Sequence, residues 1–199
     1  MAPRYSVCVA RNQSLPLLWL LSDQRNDARL ETALRAMPEG SGFVFRHYHL
    51  DPEARRARFE ELATTAHSLG HTVILSGADD WGADGHYGPP ERLGPGLRLA
   101  TAHDGDEMHA ALEAKADAIF LSPVFPTASH PGAATLGVDG FHALARQSQV
   151  PIIALGGMTH ERARELDWPR WGAIDGLGSS PTEGRQGRPP ARSDCKERG

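Results

Sequence analysis

Short apolar runs alternate with longer stretches of helical period along this chain. Leu17–Leu21 reads as a first strand ending in the polar Ser22-Asp23-Gln24-Arg25. Leu30, Leu34 and Met37 then repeat at helical spacing until Pro38-Glu39-Gly40 breaks the pattern. Phe43–Tyr48 is a second strand. Asp51 caps the next helix with Pro52 at its first position, and Phe59, Leu62, Ala63, Ala66 and Leu69 form one face before Gly70. Thr72–Leu75 is a third strand. The Gly/Pro-rich stretch from Ser76 to Pro95 holds no convincing helix, and Gly82-Ala83-Asp84-Gly85-His86 is read as a brief fourth strand. Leu97–Thr101 is a fifth, after which Asp104 starts a helix carrying Met108, Ala111 and Leu112. Ala118–Leu121 is a sixth, followed by a long loop to Gly137 and a short helix through Leu144. Pro151–Leu155 is a seventh, turned by Gly156-Gly157, with Thr159 capping a helix to Leu166. Ala173–Gly176 is a weak eighth.

Repeated strand–helix units imply parallel strands, because each return to the same end of a sheet requires a crossover. Eight of them point to an α/β fold of the parallel (β/α)8 TIM-barrel type over residues 15–180. The alternative, an open doubly wound sheet, lacks a GxGxxG after its first strand. Residues 181–199 hold only Ala191 and Cys195 as apolar side chains, so they cannot cover an eighth strand. The expectation is a barrel whose last helix is incomplete or missing, followed by a disordered tail. The N-terminal segment, a second subunit in a homodimer, or a loose edge then fills the gap.

Composition narrows the function classes. The 199 residues are 40% hydrophobic and 23% charged, with a net charge of −4 that weighs against a nucleic-acid partner. Cys8 and Cys195 have no CxxC partner, which argues against a metal knuckle or redox pair and fits a reducing compartment. The longest apolar run, Leu15–Leu21, is interrupted by Pro16 and too short to cross a bilayer. Met1–Ser14 lacks the apolar core of a secretory signal. A cytoplasmic protein without membrane contact is expected.

Two loops carry candidate chemistry. Pro151-Ile152-Ile153-Ala154-Leu155-Gly156-Gly157-Met158-Thr159 runs an apolar strand into two glycines and a helix, a place where backbone N–H groups can close on an anion. Gly176-Leu177-Gly178-Ser179-Ser180 repeats the idea after the eighth strand, and α/β barrels commonly hold phosphate at these two loops. The loop Leu121–Gly132 is stiffened by Pro123, Pro126 and Pro131 and offers Thr127, Ser129 and His130.

The run Ala116-Asp117-Ala118-Ile119-Phe120-Leu121-Ser122-Pro123-Val124-Phe125-Pro126-Thr127-Ala128-Ser129-His130-Pro131-Gly132, with Leu136-Gly137 and Ile153-Ala154-Leu155-Gly156-Gly157, closely resembles the thiamine phosphate synthase/TenI superfamily. The resemblance is specific over about residues 97–160 and loose over 17–96. It implies an α/β barrel in thiamine biosynthesis that binds thiazole phosphate or thiamine phosphate at its mouth. The activities it implies are synthase coupling of hydroxymethylpyrimidine diphosphate with thiazole phosphate, releasing diphosphate, or a TenI-type thiazole tautomerisation. A non-catalytic protein binding the same ligands is a further alternative. By resemblance, Gly157, with Gly156 beside it, and Ser179/Ser180 meet the thiazole phosphate, while Thr127 and Ser129 line the pyrimidine/diphosphate side.

The departures from the family pattern are specific. Where synthases carry Gln-x-Arg-x-Lys on the second strand, this chain has Val44, Arg46 and Tyr48, keeping only the arginine. Ser76-Gly77 stands in place of the usual Asn-Asp, removing one magnesium carboxylate, and Glu91 stands where a second metal-binding Asp is expected. Mg²⁺ is therefore implied only by the synthase activity, which uses it to absorb charge on the leaving diphosphate. The tautomerases need none, and their catalytic His falls at Pro123. His130 replaces a frequent Lys and is the candidate general acid–base, with Arg46 as the candidate catalytic cation.

A more distant alternative is a metal-dependent barrel hydrolase using His47 and His49, which share a face if the strand continues through them, with His86 and His103 as further ligands. Placing Val44, Arg46 and Tyr48 inward turns His47 outward. Asp79-Asp80 and Asp104/Asp106 read as loop solvation and helix capping. Trp168 and Trp171, flanking Pro169, read as packing on the barrel exterior.

Overall fold

Eight parallel strands close in sequence order into a ring in the computed structural model, which describes residues 15–127, 132, 134–175 and 177. They are β1 (Leu18–Leu21), β2 (Gly42–Phe45), β3 (Thr72–Ser76), β4 (Gly85–Gly88), β5 (Leu97–Ala102), β6 (Ala118–Leu121), β7 (Ile152–Ala154) and β8 (Trp171–Ala173). The outer helices are α1 (Leu30–Ala36), α2 (Pro52–Ser68), α3 (Gly105–Glu113), α4 (Gly137–Ala145) and α5 (His160–Leu166). The ring is the (β/α)8 barrel expected from the strand–helix alternation. The three caps read from sequence are present: Asp51, Asp104 and Thr159 accept from the backbone N–H of Ala54, Glu107 and Arg162. Among the described residues no α-helix lies between β3 and β5, where a short 3₁₀ turn at Pro90–Arg92 is found instead.

Several strand bounds differ from the expectation. β2 ends at Phe45 rather than Tyr48, because the backbone enters the left-handed region at His47 (φ 38°) and leaves the ladder. β4 begins at Gly85, three residues late, after the chain bends at Gly82 (φ 80°). β8 runs through Trp171-Gly172-Ala173 and stops where it was expected to start. Trp171 N–H already bonds Leu17 O at 3.0 Å, and so short a strand with a central glycine carries little apolar signal. β1 and β7 each lose their end residues, Leu17 in one and Pro151 and Leu155 in the other. Residues 181–199, read as a tail, lie outside the described residues.

Alternation along the strands divides the core in two. Trp19, Leu21, Val44, Ile74, Tyr87, Leu99, Phe120 and Ile153 fill the ring, while Leu20, Phe43, Phe45, Val73 and Leu75 face α1 and α2. One residue dominates the interior. Trp19 is 0% exposed, packs edge-on against Phe120 at 5.6 Å and donates its indole N–H to Pro16 O at 2.9 Å. Its ladder neighbours on both sides are glycines, Gly42 on β2 and Gly172 on β8. A Cβ at Gly42 would lie 2.1 Å from the indole, so the missing side chain is what makes room for the ring. On the outside, Trp168 packs against Phe141 at 5.3 Å and Trp171 against His160 at 5.0 Å, as read for this pair.

Candidate functional site

The C-terminal ends of the strands form one polar rim, the end at which α/β barrels carry their chemistry. After β1, the Asp23 carboxylate accepts from Arg25 Nε at 2.8 Å, and Arg25 Nη1 reaches Asp175 beyond β8 at 3.2 Å. Asn26 donates to Leu21 O at 3.0 Å and Ile174 O at 2.7 Å, tying the first and last strand ends together. Arg46 extends the inward side of β2, two residues past Val44, and its Nη2 lies 3.9 Å from Asp23. These groups open onto a cleft of about 190 Å³ lined by Ser22, Asp23, Gln24, Arg46, His47, Tyr48 and His49. Burial pushes the Asp23 carboxyl up, but hydrogen bonds from Arg25 outweigh it and hold the group below the usual carboxylate value.

Next along the rim, α2 supplies Arg55. It donates from Nε to Arg46 O at 3.0 Å and from Nη2 to Ser76 O at 2.5 Å, lies 4.9 Å from the Trp81 ring, and pairs with Asp79 at 3.5 Å. Tyr48, 63% exposed, bonds through its hydroxyl to Ser76 Oγ, which itself donates to Tyr87 O at 3.2 Å. The polar groups at the end of β3 are thus paired within the protein. Both oxygens of Ser76 are hydrogen-bonded, and the exposed Asp79 carboxylate pairs with the Arg55 guanidinium. Glu91 lies in a different cleft of about 240 Å³, with Pro89, Pro90, Thr101, His103, Glu107 and Ala110. Among the described residues no group of three His, Cys, Asp or Glu side chains is arranged to hold a metal.

Across the rim, β6 and β7 end in loops built against each other. Val124 N–H bonds Leu155 O at 2.9 Å and Phe125 N–H bonds Gly156 O at 3.1 Å. Gly156 and Gly157 have φ of 94° and 64°, and a Cβ at Gly156 would lie 2.6 Å from Pro123 Cα. Arg162 donates to Gly157 O at 2.5 Å and lies 5.1 Å from the Phe125 ring. The carbonyls of this turn thus face protein, and Thr127 follows at the edge of the mouth.

Behind the rim, on the helix side of the sheet, His47 is fully buried and stacked on Phe45 at 4.8 Å. Its Nδ1 meets Ser22 Oγ at 2.8 Å and its Nε2 meets Asp27 at 2.9 Å. Arg58 of α2 bridges Asp27, Glu31 and Glu61 at 2.8, 2.6 and 2.7 Å. Burial pushes the His47 imidazole below its ordinary value, and the Asp27 carboxylate, pulling the other way, does not overcome it. The unfolded chain thus takes up this proton near the ordinary pKa of 6.5, before the folded state does, so folding stability falls as pH drops below that value. Thermal melts from pH 7 to 5 should show a smaller decline in Tm for His47→Phe than for wild type. Equal declines would mean that His47 is not the group responsible.

Three comparisons bear on this barrel. A family model described as thiamine monophosphate synthase matches residues 91–167. The thiamine-phosphate synthase of Salinibacter ruber is 35% identical over 173 residues, 77% of this chain and 76% of that protein. The chain belongs to the thiamine-phosphate synthase family. The thiamine-phosphate synthase of Geobacillus thermodenitrificans is 25% identical over 174 residues, covering 77% and 79% of the two chains. Among solved structures, a thiamine phosphate pyrophosphorylase from Pyrococcus furiosus superposes with a TM-score of 0.69 at 19% identity, over 84% and 89% of the two chains, and shares the fold.

For a thiamine-phosphate synthase-type barrel, the structure brings Arg46, Thr127, Gly156 and Gly157 to the mouth. Ser129, His130, Ser179 and Ser180 lie outside the described residues. His47 points outward as alternation requires, but both of its ring nitrogens are taken by Ser22 and Asp27. His86 is occupied by Pro95 O and Asp79 O, and His103 by Glu107. Sequence reasoning passed over Arg25 with Asp175, and Arg55. The first pair is some 150 residues apart and meets only on ring closure, whereas nothing in the local pattern of its helix singles out Arg55. The signal within reach was the polar run directly after β1. No helix of the described chain is long and apolar enough to cross a membrane.

Proposed function

We propose that this member of the thiamine-phosphate synthase family binds thiazole phosphate or thiamine phosphate at the barrel mouth. The observation that carries the reading is the Arg46 guanidinium at the C-terminal rim beside Asp23, three strands round the ring from the strand that ends in Gly156-Gly157. A phosphate at the glycine turn and Ser179/Ser180 would leave the rest of the ligand pointing toward Arg46. Thr127 and Ser129 would flank it, and His130 would be the candidate acid–base. The reading uses no divalent cation, in keeping with Ser76-Gly77 and with the paired state of Asp79.

Calorimetry with each ligand, in Mg²⁺ and in a chelator, tests it. Binding in both buffers is expected, and Arg46→Ala should weaken it about tenfold or more, the worth of a charge-assisted hydrogen bond. No binding of either ligand, or affinity that collapses in the chelator, would defeat the proposal. The second reading, complete coupling of hydroxymethylpyrimidine diphosphate to thiazole phosphate, is favoured by the retention of Arg46 and by the names of the relatives. Diphosphate release on mixing the two substrates would establish it, and binding without release would leave a binding protein.

A further inference from the structure

We infer that Ser22 and His47, buried side chains at the ends of the first two strands, are positioning residues for Arg46. The inference rests on the proposal that Arg46 meets an anion. Ser22 brackets the end of β2: its N–H bonds Val44 O at 2.9 Å, and its Oγ accepts the N–H of Arg46 at 2.7 Å. His47 holds that hydroxyl from behind at 2.8 Å, while Asp27 holds His47 at 2.9 Å and Arg58 holds Asp27. One proton arrangement satisfies a neutral imidazole. Ser22 Oγ, already accepting from Arg46, donates to Nδ1, and Nε2–H donates to Asp27. The backbone at His47 is in the left-handed region (φ 38°), which a non-glycine residue keeps only when its surroundings fix it. Here the fixing contacts are the two ring hydrogen bonds and the stack on Phe45.

The order Ser–His–Asp is that of a hydrolytic triad, but Ser22 is 0% exposed and its oxygen already accepts the Arg46 amide. No substrate carbonyl reaches it. What the chain of contacts does is fix the backbone of Arg46, the first residue past β2, and with it the direction from which its side chain enters the mouth.

A mutant cycle on the full chain, titrated with inorganic diphosphate by calorimetry, tests the inference. Ser22→Ala should weaken binding about fivefold when Arg46 is present and have no effect in an Arg46→Ala background, the coupling expected when one residue acts through another. His47→Phe, which keeps the stack on Phe45 but loses both ring hydrogen bonds, should give the same loss, and His47→Asn should recover part of it through its side-chain carbonyl. If Ser22→Ala does not fold, the His47 pair carries the test against Arg46→Ala in the same way. Equal weakening with and without Arg46 would overturn the positioning role while leaving the anion reading intact. Identical binding by wild type and Arg46→Ala would overturn the anion reading, and this inference with it.

Discussion

Trp19→Ala is expected to lower the unfolding free energy by about 3–5 kcal/mol, the usual cost of emptying a fully buried Trp position. The effect should fall at the high end of that range. The cavity cannot collapse from the flanks, because both ladder neighbours, Gly42 and Gly172, have no side chain to lean in. Urea unfolding followed by circular dichroism measures it, and a loss below about 1 kcal/mol would show that the indole is not the centre of the interior packing. Gly42→Ala should also destabilise in the wild type, where its Cβ would meet the indole at 2.1 Å. In the Trp19→Ala background the same change should cost little or be favourable, a non-additivity expected of two groups that compete for one volume.

Gly156→Ala is expected to cost about 2 kcal/mol or more of stability and to abolish ligand binding. Two terms add: a non-glycine residue at φ 94° is strained by about 1–3 kcal/mol, and the new methyl would lie 2.6 Å from Pro123 Cα and 3.1 Å from Val124 N. Those neighbours are backbone, so relief requires moving the loop that leads to Thr127. Gly140→Ala is the control. It lies in α4, where the nearest atom to a new Cβ is Leu136 Cβ at 3.7 Å, and alanine should stabilise that helix by about 0.5–1 kcal/mol. Melting temperatures and calorimetry on the two variants decide the matter. A Gly156→Ala protein that binds like wild type would show that the turn is only a connection.

Much of the fold was legible because its signals are local. Apolar runs marked β1, β2, β3, β5, β6 and β7, while β4 and β8 were placed only approximately, and Asp51-Pro52, Asp104 and Thr159 marked helix starts that the structure keeps. The end of β2 was not legible, since the turn at His47 is enforced by Ser22 and Asp27, one from the preceding strand end and one from the loop beyond it. The site was half legible. Gly156-Gly157 announces itself by composition, and Arg46 by its place beside Val44 in the family pattern. The partners that define the rim are set by closure of the ring and by α2, and pairings of that range leave no periodic trace. The tight fit of Trp19 was hidden for the same reason: Gly42 and Gly172 look like weak points in their strands until the ladder sets them beside the indole.

That arrangement also acts as a key for assembly. Between β8 and β1 the chain joins its latest strand to its earliest, and sliding β8 by two residues would keep its inward side inward and be permitted by polarity alone. Such a slide would bring Arg170 or Ile174, rather than Gly172, level with the indole. A shift of β2 by two residues in one direction would place Val44 there instead of Gly42. At the β8–β1 seam, only the observed one of the three alignments sets a glycine beside the indole. The alignment that admits Trp19 is also the one that brings Asp175 to Arg25 and Ile174 O to Asn26 across the seam, so the rim is correctly assembled whenever the barrel is.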